Sequence, residues 1–298
     1  MTLAEDRKAD EVLCQPPPHA VTEAVARALA EDLTPLGDLT SALLDPATRG
    51  TAEFVAREAG CLAGTACAVE AFRQIDPAIT VDVHLGDGAA LDVGSVIATV
   101  SGPWAPLLTA ERTALNFLGH LSGIATLTAA YVAAAARGGH ARVWDTRKTT
   151  PGLRALEKAA VRAGGGRNHR GNLSDWMLLK DNHIAGIGIA AAVARCRDLW
   201  PGRTVHIECD RVDQAVEALD AGADALLLDN MSIEQVEACV AAATERAQGR
   251  PALLEVSGGI TLETIGAYAA TGIDLISVGR ITNSAPVLDI GLDATVVP

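Results

Sequence analysis

The sequence predicts an α/β protein in which an incomplete, open TIM-like α/β barrel follows an N-terminal α+β sandwich domain. Two observations lead there. After Gly138-Gly139 the chain repeats one grammar: a short β-branched or Leu-rich run, a polar cluster, then a helical stretch. Repeated βα units of this kind imply a parallel sheet with its helices outside. Six consecutive runs also end in charged residues or glycines, namely Arg147-Lys148, Lys180-Asp181, Glu208, Asp229-Asn230, Ser257-Gly258-Gly259 and Gly279-Arg280. A doubly wound sheet needs only a few such tips at its switch point, whereas a barrel brings every carboxyl-terminal tip to one rim. A full barrel has about eight strands, so six candidates imply an incomplete one.

The elements follow in chain order. Residues 19–32 (HAVTEAVARALAED) have helical spacing of apolar positions, with Thr22 as the expected cap and Pro35 and Gly37 as the stop. From Thr51 to Gly102 the pattern is of short alternating strands, with turns at Gly60, Gly64, Gly86-Asp87-Gly88 and Gly94. Within it, GDGAALDVGSVIATVSG (86–102) resembles a lipoyl-type hammerhead, but its hairpin has no lysine to carry biotin or lipoate, so a structural role is expected. Residues 109–137 predict a long Ala-rich helix or helix pair, interrupted around Ser122-Gly123, on which Glu111, Arg112, Asn116 and His120 need partners of their own.

The barrel strands are expected at 141–146, 176–180, 204–209, 225–230, 252–258 and 275–280, with helices such as 212–223 and 232–247 between them. This places the N-terminal domain at residues 1–124 and the barrel at 125–282, with residues 283–298 packing back on the first domain.

Composition narrows the function. The chain has 298 residues, 49% of them apolar but only 3% aromatic, so Ala, Val, Leu and Ile must build the core and charge must hold any planar ligand. Net charge is −13, yet the stretch from His140 to His183 holds nine Lys/Arg against four Asp/Glu. Such a patch focuses the field on one small polyanion, while the remaining acidic surface disfavours nucleic acid and acidic membranes. Met1–Glu11 is charged and has no apolar signal region, and no run is expected to reach the ~18 apolar residues that cross a bilayer, so a soluble, cytoplasmic protein is expected. Six cysteines (Cys14, Cys61, Cys67, Cys196, Cys209 and Cys239) form no C-x-x-C pair and read as reduced thiols.

The tips carry two chemistries. Arg147, Lys148, Arg170 and Lys180, with His169, suit carboxylates and phosphates. Glu208 and Asp229 suit Mg²⁺ or ribose hydroxyls, because a hard cation prefers oxygen ligands. Ser257-Gly258-Gly259 and Gly279 offer backbone N–H groups to a phosphate. An ion pair of Glu208 with Lys180 inside the barrel is the bland alternative. Gly164–Arg170 is not a Walker loop, since no strand leads into it and no G-K-[ST] follows, and it reads as a flexible segment delivering His169 and Arg170. His206-Ile207-Glu208 imitates the H-x-E of zinc deaminases but has no P-C-x-x-C partner.

Six segments, ERTALNFLGHLSGIAT (111–126), DTRKTTPGLRALEKAAVRAGGGRNHR (145–170), LLKDNH (178–183), LLLDNM (226–231), LEVSGGIT (254–261) and ISVGRIT (276–282), together resemble the quinolinate phosphoribosyltransferases. The resemblance runs in order from about Glu31 to Asp289. It implies transfer of phosphoribosyl from phosphoribosyl pyrophosphate to quinolinate with decarboxylation, in NAD biosynthesis, by a homodimer or higher oligomer whose active sites are shared. By motif, Arg112 is expected in the neighbour's site, and Arg147, Lys148, His169, Arg170 and Lys180 on the pyridine dicarboxylate. Glu208 and Asp229 are expected on the ribose and Mg²⁺ side. Ser257, Gly258, Gly259, Gly279 and Arg280 are expected near the 5′-phosphate, with Thr146 and Val278 as further substrate contacts. Lys148, Glu208 and Asp229 are the expected catalytic residues.

Two positions depart from the family pattern: His206 stands where E-V-E usually has its first acid, and Gly171 stands where a bulkier residue follows the arginine. Other readings remain. A lysine at a strand tip, Lys148 or Lys180, suits a Schiff-base lyase if burial lowers its pKa. A paralogue acting on another heterocyclic acid uses the same set of tips.

Overall fold

A computed structural model describes residues 15–246 and 252–297. The charged N-terminal segment, Cys14 and residue 247 at the end of the expected 232–247 helix lie outside the described residues. The chain divides into two compact units, one comprising the residues up to Ala129, Thr149–Gly165 and the residues from Arg280 onward, the other Ala130–Lys148 and Gly166–Gly279.

The first unit is built on an antiparallel four-stranded sheet. Its strands are β1 (Arg49–Ala56), β3 (Thr80–Val83), β5 (Val96–Pro103) and β12 (Ile290–Val297), in the order β12-β1-β5-β3. A small ladder joins β2 (Gly60–Cys61) to β4 (Ala90–Leu91). Helix α1 (Pro18–Leu33) starts earlier than its periodicity suggests: Pro17 is the N-cap and Pro18 opens the first turn, where a fixed φ costs nothing, so Thr22 lies inside the helix and is not its cap.

Helix α2 (Thr65–Ile75) replaces part of what reads as alternating strands. Gly64 (φ 95°) turns the chain into it, and Cys67, Ala68, Ala71 and Phe72 form its buried stripe, with Phe72 edge-on to Phe54 of β1 at 5.9 Å. Small Ala and Cys side chains mask this 3.6-residue period in sequence.

Helix α3 (Trp104–Ala136) is continuous, and the expected break at Ser122-Gly123 does not occur. Both residues have other reasons to be there. Ser122 Oγ donates to the Ala63 carbonyl and accepts from its N–H, at 3.1 and 3.0 Å. A Cβ at Gly123 would stand 1.9 Å from the Pro286 carbonyl oxygen. This helix does reach the length and apolarity of a membrane span, contrary to expectation, but 61% of its most apolar window is buried within the protein, as in a core helix.

The second unit is a parallel six-stranded sheet, β6 (Arg142–Trp144), β7 (Met177–Leu179), β8 (Val205–Cys209), β9 (Ala225–Asp229), β10 (Leu253–Ser257) and β11 (Leu275–Ser277). All six fall inside the expected runs. Their order, β6-β11-β10-β9-β8-β7, puts the first strand beside the last. A row of βα units acquires that order by rolling up, and among the described residues no ladder joins β6 to β7, so the barrel is open there.

Residues 166–168 line the open edge of β6. Arg167 N–H donates to the Val143 carbonyl at 2.9 Å, and Asp145 N–H donates to the Arg167 carbonyl at 3.1 Å. Pairing of this kind blunts an edge that would otherwise template aggregation. After β6 the chain forms α4 (Arg154–Ala163) and after β7 the short α5 (Asp181–Ile184), while helices α6 (Ile189–Leu199), α7 (Val212–Asp220), α8 (Ile233–Arg246) and α9 (Ile265–Ala270) connect successive strands.

Cys67, Cys196, Cys209 and Cys239 are free thiols. Burial pushes Cys67 and Cys209 up to about 12, which leaves them unreactive.

Candidate active site

A cavity of about 360 Å³ opens at the strand tips of the barrel unit. It is lined by Thr146, Arg147, Lys148, His169, Arg170, Leu178, Lys180, Glu208, Leu227, Asp229, Glu255, Ser257 and Ser277. A strand's side chains alternate faces, so a residue at a tip and the residue two before it share the inner face. Lys180 with Leu178, Asp229 with Leu227, and Ser257 with Glu255 are such pairs, and Glu208 follows His206 in the same way. Polar tips thus sit above an inner layer that mixes leucines with buried polar groups.

Asp145 brings the D-T-R-K and N-H-R motifs together. Fully buried after β6, its carboxylate accepts from the His169 N–H at 2.8 Å and from the Asn168 side-chain amide at 2.7 Å. His169 is then packed edge-on against Trp144 and tilted against Trp176, at centroid distances of 5.8 and 5.0 Å. The segment delivering His169 and Arg170 is therefore held at several points, where the sequence suggested flexibility. Gly164 and Gly165 serve a local purpose: a Cβ at Gly164 would lie 2.3 Å from the Ala125 carbonyl oxygen, and Gly165 has φ 83°.

Charge is concentrated in this cavity. Burial, reinforced by Arg147, lowers the pKa of the Arg170 guanidinium, which means that an entering anion would relieve an existing penalty. Lys180 Nζ donates to Glu208 Oε2, so the bland pairing considered from sequence does form, at side-chain exposures of 44% and 18%. Both partners still line the cavity. Asp229 accepts from Asn230 at 2.8 Å, and Asn230 adopts φ 55° where it packs under Gly258. A Cβ at Gly258 would meet the Asn230 amide oxygen at 2.2 Å, so glycine is required for packing as well as for its φ of 95°.

Glu208 and Asp229 end adjacent strands and present oxygen donors, the set a hard divalent cation prefers. Deeper, His169 Nε2 and His206 Nε2 lie 3.5 and 3.6 Å from Glu255 Oε2. Burial lowers the His206 pKa despite the attraction of Glu255. Burial works to raise that of Glu255 but is outweighed by the neighbouring His169, His206 and Ser277, so its net shift is downward.

Of the residues expected at the site, Thr146, Arg147, Lys148, His169, Arg170, Lys180, Glu208, Asp229 and Ser257 meet in the cavity. The other six do not line it. Gly279 is adjacent, since a Cβ there would stand 3.1 Å from Lys148 Cδ. Val278 is buried, and its N–H is spent on the Trp144 carbonyl at 2.9 Å, which makes it a sheet residue. Gly258 and Gly259 form the turn after β10, with φ 95° and 62°. Arg280 begins the short helix α10 (Arg280–Asn283) in the first unit and is exposed. Arg112 is exposed on α3 and lines a different, first-unit cavity of about 500 Å³ with Asn116, Gly119 and residues 287–290.

Sequence reasoning missed Asp145, Glu255 and Ser277. Glu255 had a signal, because an acidic residue two before the Ser257 tip shares that tip's inward face.

Comparison with known proteins gives consistent matches. Residues 38–122 match the quinolinate phosphoribosyl transferase N-terminal domain, and residues 124–293 match its C-terminal domain. The chain is 43% identical over 281 residues to the nicotinate-nucleotide pyrophosphorylase (carboxylating) of Mycobacterium leprae, covering 92% of this chain and 97% of that one. It is 33% identical to quinolinate phosphoribosyltransferase (decarboxylating) 1 of Nicotiana glauca, covering 97% and 87%. Its fold is similar to the solved nicotinate-nucleotide pyrophosphorylase of Francisella tularensis, with a TM-score of 0.90 at 38% identity over 95% of this chain and 99% of that one.

Proposed function

The chain belongs to the quinolinate phosphoribosyl transferase family, and on that premise we propose that it transfers phosphoribosyl from phosphoribosyl pyrophosphate to quinolinate, releasing pyrophosphate and CO₂ and forming nicotinate mononucleotide. The observation that carries this reading is the cavity: four cations and an imidazole share about 360 Å³ with three carboxylates, of which Glu208 and Asp229 stand at the strand tips. A dianionic pyridine needs the first group. A ribose carrying a pyrophosphate needs the second.

In this reading Arg147, Lys148, His169 and Arg170 pair with the two ring carboxylates and aim the pyridine nitrogen. The nitrogen lone pair forms the new bond to the anomeric carbon as the bond to pyrophosphate breaks, its electron pair leaving with the pyrophosphate oxygen. N-ribosylation makes the ring nitrogen cationic. When the adjacent carboxylate departs as CO₂, the pair left on the ring carbon is stabilised by that cation, and a proton then takes its place. Lys180 divides its ammonium between Glu208 and the entering anion. Glu208 and Asp229 orient the ribose and would hold Mg²⁺, directly or through water. When bound, that ion supplies neutralisation of the departing pyrophosphate charge.

Arg112 is exposed on a helix rather than at a strand tip, which supports a homodimer in which it serves the partner's site. Substrates that are small, soluble anions suit a cytoplasmic protein. Release of CO₂ and pyrophosphate from quinolinate, phosphoribosyl pyrophosphate and Mg²⁺ tests the assignment. Equal turnover of nicotinate, which lacks the carboxylate beside the nitrogen, would overturn it.

A further inference from the structure

One layer below the strand tips, three groups converge that the proposed reaction does not use together. His206 and Glu255 stand two residues before Glu208 and Ser257, and His169 comes from the loop that precedes β7. All three are buried, and one ligand atom from each lies within 4.8 Å of the others. The two imidazole Nε2 atoms approach the same oxygen, Glu255 Oε2, at 3.5 and 3.6 Å. Charge-assisted hydrogen bonds close to about 2.7–2.9 Å, so both contacts are long for that role. They are close to the edge of a coordination tetrahedron, because ligands held ~2.0–2.2 Å from zinc are ~3.3–3.6 Å apart.

The surroundings orient each ligand. Ser277 Oγ donates to Glu255 Oε1, which leaves Oε2 facing the imidazoles. His206 is buried beside the Leu226 backbone, and its Nε2 is a buried ring nitrogen with no hydrogen-bond partner that faces Glu255. Metal-binding histidines are commonly oriented by such a neighbour at the second nitrogen. Trp144 and Trp176 fix the His169 ring. A lone pair facing a carboxylate oxygen is stable only with a proton or a cation between them.

We propose that His169, His206 and Glu255 form a binding centre for a divalent transition-metal ion of the zinc class. Two imidazoles and one carboxylate favour Zn²⁺ or Co²⁺, whereas Mg²⁺ requires oxygen ligands, so the centre is separate from the Glu208 and Asp229 pair. His169 and Glu255 line the cavity, which provides an entry path and an open fourth position. A corollary rests on the functional reading above: an ion on His169 competes with the pyridine dicarboxylate. The metal site itself does not depend on that reading.

The test is titration of chelator-treated protein with Co²⁺ alone, followed by calorimetry and visible absorption. One ion per chain is expected, with the ligand-field bands of a four- or five-coordinate site. His206→Gln and Glu255→Gln should weaken binding by more than the roughly 10–100-fold typical of losing an outer-shell partner. His84→Gln, an exposed control, should bind as the wild type does. Wild-type binding no tighter than about 1 mM, or binding undiminished in His206→Gln, would show that a proton occupies the cluster and would overturn the proposal. Should the variants fail to fold, X-ray absorption of the zinc-loaded wild type decides: two imidazoles per zinc support the centre, and fewer refute it.

Discussion

Lys180 and Glu208, at the tips of neighbouring parallel strands, form an ion pair that still faces the cavity. Its partial exposure limits its value to stability to about 0–1 kcal/mol, so the pair is available for exchange with a ligand. Lys180→Met should therefore leave the melting temperature nearly unchanged while lowering kcat/KM for quinolinate. The loss of a charge-assisted hydrogen bond, worth ~1.5–3 kcal/mol, sets the scale at roughly tenfold or more, and the same holds for Lys148→Ala and Arg170→Ala. An unchanged kcat/KM in a folded variant assigns that cation to solvent.

Glu208→Gln and Asp229→Asn should act on the other substrate. Their sign is wrong for a dicarboxylate, so phosphoribosyl pyrophosphate and Mg²⁺ affinities should fall more than that for quinolinate. Separate calorimetric titrations of each ligand check this, and a selective loss of quinolinate binding would reverse the assigned roles.

Arg112→Ala and Lys148→Ala should each be nearly inactive as homodimers and should complement when co-refolded. Random pairing makes half the dimers mixed, each with one intact site, so about a quarter of wild-type activity should return under twofold assembly. If subunits demonstrably exchange and activity stays absent, Arg112 does not serve a partner's site.

Gly123→Ala separates helix propensity from packing. In an exposed helix interior the change stabilises by about 1 kcal/mol, but here the new Cβ would lie 1.9 Å from the Pro286 carbonyl oxygen. The steric effect should win, with a net loss of about 1–3 kcal/mol in thermal or denaturant unfolding. Gly86→Ala, which meets nothing within 4 Å, should stay within about 0.5 kcal/mol of the wild type.

Asp38 should shape the acid limb of stability. Hydrogen bonds from the Ser41 hydroxyl and N–H, with further bonds from Thr109 and Thr40, hold its pKa down to about 2 from 3.8. A depressed carboxylate stabilises the fold fully above its unfolded value, and that contribution fades as pH falls toward the folded value. Asp38→Asn should thus melt below the wild type at neutral pH, with the gap closing between about pH 4 and pH 2. A gap independent of pH would mean that the carboxylate's charge plays no part.

The six barrel strands and their polar tips were legible in the chain itself, because strand periodicity and the polarity of a βα junction are local properties of a few consecutive residues. The cationic stretch likewise pointed to a small anion, and the D-T-R-K-T and G-G-G-R-N-H-R motifs carried the resemblance to the family. Helix α2 was hidden, since its small residues blur the helical period, and Gly123 suggested a break because nothing in the sequence places Pro286 against it. Tertiary structure alone decided which buried charges meet: Asp145 on the His169 backbone, Ser277 on Glu255, and Glu255 between two histidines. These contacts join residues 22 to 86 positions apart across a rolled sheet. Sequence determines which side chains point inward, but only the roll of the sheet sets which inward side chains become neighbours.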